Sequence, residues 1–152
     1  MASNGWAVQT SEVTVAAAAT KTLLQICAAN TNVRERMTQA RVAVRGGAAG
    51  DAAVLIELLR QTTAGTGGAS ATVGKTNPSA SETLQVTALE GAFSAEPTAS
   101  TILDFKYVSP IQGEAVFSIP REVAGSGRLA LRATTQTGVT SVKCKSIMEG
   151  DE

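Results

Sequence analysis

Histidine is absent from the 152 residues. With it go the usual general base, the Ser–His and Cys–His nucleophile pairs, and imidazole metal ligands. Aspartate is scarce: Asp51, Asp104 and Asp151 stand in separate segments, which excludes a clustered calcium loop. Aromatic residues make up 3% of the chain against 43% hydrophobic residues overall, so the core must be built from Val, Leu, Ile and many Ala. Such a core is thin for this length, which leans towards burial completed between copies of the chain. Thirteen basic and 13 acidic residues balance to zero, and no basic block stands out. That removes the electrostatic case for nucleic acid or an anionic membrane surface as partner. No apolar run approaches the roughly 20 residues that span a bilayer. Met1–Gly5 lacks the basic and apolar regions of a secretion signal. Cys27 and Cys144 lie far apart with no CxxC partner. They read as two core thiols in a chain made in a reducing cytosol, with a disulfide between neighbouring strands as the alternative.

What is present is centred on Ala52–Gly68, an apolar run that ends at Arg60-Gln61 and breaks into a Gly/Thr/Ala loop. Val54, Ile56 and Leu58 alternate with Leu55, Glu57 and Leu59, so a strand here is apolar on both faces. A helix fits the run almost as well by periodicity. Its shortness and its Gly-rich flanks without a capping Glu favour the strand.

Around it the spacing predicts about eight or nine short strands separated by Gly, Pro and Asn turns. They cover Glu12–Ala16, Thr20–Ala28, Val33–Arg45, Ala53–Arg60, Leu84–Leu89, Thr101–Val108, Glu114–Ile119, Arg128–Thr134 and Val139–Met148. The first two are separated at Ala16–Ala19, a run of helical composition set among β-branched neighbours; a short helix over Ala16–Leu24 is the competing reading. In Val33–Arg45 the apolar parity changes between Met37 and Val42, which predicts a bulge near Thr38-Gln39-Ala40. In Thr101–Val108, Leu103, Phe105 and Tyr107 take one side, and Ile102, Asp104 and Lys106 the other. Thr62–Ser81, rich in Gly, is expected to be a long loop touching a neighbouring subunit or solvent. The pattern implies an all-β fold, a two-sheet, jelly-roll-like β-sandwich over residues 11–149. An N-terminal arm (1–10) and a frayed tail (150–152) flank it. Trp6, the only Trp, pins the arm onto its own domain or onto a neighbouring subunit.

Local motifs point to no chemistry. Gly74-Lys75-Thr76 resembles the end of a phosphate-binding loop. However, Ala69 stands where that motif needs Gly, and Asn77-Pro78 replaces the start of a helix. Glu57 and Glu114 could pair only through the fold. Arg34, Arg36, Arg41 and Arg45 are the densest basic cluster, with Arg34 and Arg36 on one strand face. No ring interleaves with them as a stacking platform for nucleic acid requires, so they read as a solvated or subunit-contacting face.

Three stretches carry a resemblance: Val15–Ile26 (VAAAATKTLLQI), Leu55–Gly68 (LIELLRQTTAGTGG) and Gly127–Ala133 (GRLALRA). In pattern and order the chain, from about Val13 to Glu149, resembles small structural proteins of tailed bacteriophages, cyanophages among them. These include capsid cement or decoration proteins. The resemblance implies a jelly-roll-like sandwich that binds the major capsid protein on the head surface of the virion as a homotrimer. It implies no enzyme, no catalytic residue and no cofactor or metal, and no nucleic-acid or membrane partner. Trp6, Arg34 and Arg36 are the candidate interface residues. The alternatives are a tail or head-fibre component and a carbohydrate-binding sandwich module, which would need an aromatic platform.

Overall fold

The alternation is realised as thirteen strands in a computed structural model that describes residues 4–78, 81–123 and 125–152, with no helix among them. In chain order these are β1 (Gly5–Gln9), β2 (Val13–Val15), β3 (Thr20–Ala28), β4 (Glu35–Arg45), β5 (Val54–Gln61), β6 (Ala69–Ala71) and β7 (Val73–Lys75). β8 (Val86–Glu90), β9 (Ala99–Val108), β10 (Gln112–Phe117), β11 (Arg121–Val123), β12 (Arg128–Thr134) and β13 (Val142–Asp151) follow. They form two antiparallel sheets. The first runs β10-β4-β13-β1-β7, with β11 also on β4 and β2 on β13; the second runs β6-β8-β3-β12-β5-β9. The fold is a two-sheet β-sandwich.

The inner faces supply the core. Trp6, Met37, Val42 and Phe117 of the first sheet meet Leu24, Ile26, Ile56 and Leu131 of the second. Trp6 and Phe117 are among the largest fully buried side chains, and Leu, Ile and Met supply the other large ones. At about 25 cal/mol per Å² of apolar area, each of the two rings contributes several kcal/mol.

Two breaks in periodicity are built as the residues suggest. Ala16–Ala19 does not form a helix, because Thr135 holds it as a turn. The buried Thr135 hydroxyl donates to Ala16 O at 2.5 Å and accepts from Ala19 N at 3.1 Å, while Ala18 sits at φ 50°. In β4 the partners in β13 skip Thr38: Glu149 faces Gln39 and Gly150 faces Met37. Glu35 and Met37 point inward before that bulge, and Ala40, Val42 and Val44 after it.

The remaining differences concern short or terminal segments. Residues 1–3 of the expected arm and residues 79–80 of the expected loop lie outside the described residues. The rest of the arm is β1, an interior strand between β13 and β7. The tail is not frayed: β13 runs to Asp151, Trp6 pairs with Gly150, and Asn4 and Glu152 exchange backbone hydrogen bonds of 3.3 Å. Gly150 is required there, since a Cβ would collide with the Trp6 ring and the Arg36 carbonyl. Within Thr62–Ser81, β6 extends the second sheet on β8 and β7 extends the first on β1. The loop thus contacts its own domain where a neighbour or solvent was expected.

Candidate interaction surfaces

Trp6 is 0% exposed. It is pinned onto its own domain and offers nothing to a neighbouring copy, which corrects its assignment to an interface. Its alternate-position partner Val8 is buried too, so β1 presents its apolar side to the core as any interior strand must. Arg34 and Arg36 remain on the surface. Arg34 precedes β4 and lies a loose 3.9 Å from the Glu122 carboxylate, both side chains being largely exposed. Arg36 sits in register between Glu122 of β11 and Asp151 of β13. A pair this exposed contributes little stability.

The Thr38 bulge decides what accompanies Arg36. By simple alternation Arg36 would oppose Arg41 and Arg45, but the extra residue brings all three to the outer face of the first sheet. Lys143 and Lys145 of β13 join them. Glu12 ties Arg45 at 2.5 and 2.7 Å and Lys143 at 3.3 Å, and the Arg45 hydrogen bond above all holds its carboxyl below the usual range. Ala43, small and exposed, floors an open trough of about 770 Å³ between Arg45, Glu114, Lys143 and Lys145. Arg41 and Lys145 enter no ion pair among the described residues. The trough is a mixed-charge surface suited to polar contact and holds no nucleophile–base pair. Glu57 and Glu114 lie on opposite outer faces and form no carboxylate pair.

Beneath this sheet Glu35 is, among the described residues, the one acidic side chain that is 0% exposed. It forms no ion pair among the described residues. Burial first, and then the charge of the nearby Glu152, push its carboxyl up to about 8. Its chemistry is that of a neutral acid at moderate pH, positioned in the core with no access for a substrate. Burial likewise pushes the Cys144 thiol up to about 12. Cys27 and Cys144 are both free thiols, Cys144 buried and Cys27 half-buried on the outer face of β3.

The outer face of the second sheet is largely covered. Segments 62–68 and 91–98 fold over it, joined by Thr66 N–H to Ala95 O and Ser94 N–H to Thr66 O, each 2.9 Å. Beneath them lie Leu59, Phe93 and a buried polar chain. Gln25 Nε2 donates to Gln61 Oε1 at 2.6 Å, Gln61 Nε2 to Thr22 Oγ1 at 3.0 Å, and Thr22 N–H to Glu96 at 2.8 Å. This cover is why β5 is apolar on both sides. Beyond it Arg132 grips Glu57 at 2.8 and 2.9 Å.

The cover stops short of β9, the edge strand. A bulge at Leu103 sends that residue to the core, whereas Ile102, Phe105 and Tyr107 share the outer face with Leu59, Glu57 and Leu55 and are 52%, 57% and 62% exposed. Ile111 and Ile119, on either side of β10, are similarly exposed. Sequence reasoning missed this patch. The signal was Asp104 and Lys106 alternating with it, charges that suit the rim of a core and not its centre. Phe105 and Tyr107 meet edge to face, ring centroids 6.0 Å apart at 80°. Among the described residues no three His, Cys, Asp or Glu are grouped to hold a metal ion. In comparisons with known proteins, no family model matches the chain and no curated protein is significantly similar to it.

Proposed function

We propose that this protein is a structural component of a tailed-phage virion, a cement or decoration protein that binds the major capsid protein on the head surface as a homotrimer. It acts by fit and carries out no reaction. The observation that carries this reading is the set of five large apolar side chains more than half exposed on a sandwich otherwise poor in such residues. Exposed apolar side chains grouped on one strand face, as Ile102, Phe105 and Tyr107 are on β9, are the property of a protein that meets other proteins. A second feature supports it. The three stretches that resemble phage decoration proteins fold side by side, as β3, β5 and β12 with the cover over them. Many weak, symmetric contacts between such units and a shell would resist internal pressure through avidity. Arg34, Arg36 and the trough around Ala43 supply polar contacts for the same task. The edge-to-face geometry of Phe105 and Tyr107 gives no flat platform for stacking a sugar, which disfavours a carbohydrate-binding module.

Sedimentation of the purified protein, alone and with phage heads stripped of decoration, tests the proposal. The expected result is a trimer or a multiple of it that co-sediments with heads to saturation. A monomer that leaves the heads bare would overturn it.

A further inference from the structure

β9 is ten residues long and pairs only with β5, so its second edge is open among the described residues. An open edge of this length invites any extended chain, and proteins restrain such edges with bulges and charges. β9 carries both. Its register with β5 slips at two places. The Asp104 carboxylate accepts from the N–H of Phe105 at 2.8 Å. Lys106 stands two residues further on, its Nζ 5.8 Å from the Phe117 ring centre.

These charges obstruct most partner strands, but one partner turns them to advantage. We propose that a second copy of this chain docks β9 against β9, antiparallel, with Phe105 on the two-fold axis. In that register Asp104 opposes Lys106 of the partner subunit, and Lys106 opposes Asp104 of the partner subunit. Two cross-strand ion pairs form where like charges would otherwise meet. Moving the axis to Lys106 sets two lysines face to face, and moving it to Asp104 sets two carboxylates face to face. Only the Phe105-centred register joins opposite charges, and it also brings the two Phe105 rings together with Tyr107 beside them. The contact is isologous, as a two-fold interface must be. It goes beyond the capsid reading and does not rest on it: on a shell, it would link one decoration unit to the next.

Cysteine cross-linking tests the register directly, using the full chain with Cys27→Ser. Antiparallel partners on the axis have Cα atoms about 5 Å apart, within disulfide reach. Phe105→Cys should therefore yield a covalent dimer on mild oxidation. The two copies of residue 107 would be about 14 Å apart, so Tyr107→Cys should not. A charge exchange provides the second arm. Asp104→Lys or Lys106→Asp alone should weaken the two-fold contact about tenfold in sedimentation, and the double exchange should restore it. Absence of cross-linking at residue 105, equal cross-linking at 107, or failure of the double exchange to restore association would each overturn the proposal. A trimer with no cross-link at 105 would overturn it while leaving the capsid reading intact.

Discussion

Raising the pH from 5 to 8 should destabilise this protein, and Glu35 should be the cause. Its carboxyl is sealed from water, and burial together with the Glu152 charge lifts it from 4.5 to about 8. Unfolding returns it to the ordinary range. Between those two values the folded chain holds a proton that the unfolded chain releases, so stability falls as pH rises through the window. Below about 4.5 both states are protonated and the group contributes no difference; above about 8 its full penalty is present. The slope reaches about 1.4 kcal/mol per pH unit. The whole span of 3.5 units sets a ceiling of about 5 kcal/mol. Local relaxation and water penetration reduce this, and a loss of about 2 kcal/mol is the expected magnitude. The window is unusually clean, because the chain has no histidine and Cys144 is lifted far above it. Urea unfolding at pH 5, 6, 7 and 8 and constant salt is the assay. With a slope of 1–3 kcal/mol per molar urea, the wild-type midpoint should fall by about 1 M. Glu35→Gln, neutral at every pH and nearly the same shape, should hold its midpoint. A wild-type midpoint that stays level or climbs, or a variant that falls in parallel, would refute the reasoning.

Three further outcomes follow from the same packing. Trp6→Ala should cost about 3–5 kcal/mol in chemical unfolding, since the ring is wholly enclosed and Gly150 is shaped to it. Thr135→Val should cost about 1–3 kcal/mol, because it strips the Ala16–Ala19 turn of its bonds to the Thr135 hydroxyl. The acid limb depends on Glu12 and Asp51, whose carboxyls are held low by Arg45 and by the Ala48 N–H respectively. Their contribution is present above the unfolded value and is lost as pH falls through the folded one. Glu12→Gln should therefore flatten the acid limb slightly, and added salt should mask the difference, both readable from thermal melts below pH 4.5.

Where a segment was long enough to show a period, its residues announced its place. The change of parity in Val33–Arg45 located the Thr38 bulge, and with it the face that carries Arg36, Arg41 and Arg45. The double-sided apolarity of Val54–Leu59 signalled that something lies over both faces. What lies there was illegible, because residues 62–68 and 91–98, apart from Phe93, cover it with small and polar side chains whose value comes from position. β6, β7 and β11 have three residues each, too few to establish alternation, and exist because a longer neighbour offers unpaired hydrogen-bonding groups. β1 and the end of β13 beyond Met148 were hidden for a similar reason: polar ends read as loose until their partner is known. The aromatic patch on β9 was obscured by its bulge, which separates Leu103 from the Phe105 and Tyr107 it alternates with in the sequence.

Asn4 and Glu152 are hydrogen-bonded neighbours at the same end of adjacent antiparallel strands. Tension applied between these two residues would act across the ladder and open it bond by bond, like a zipper, with Trp6 and Glu35 the first interior groups to meet water. Pulling along the strands, by contrast, would strain many bonds at once. A unit built this way is weak when grasped by its tips and strong when pressed or sheared through its broad sides. On the proposed capsid reading, those sides are where a shell under outward strain would hold it.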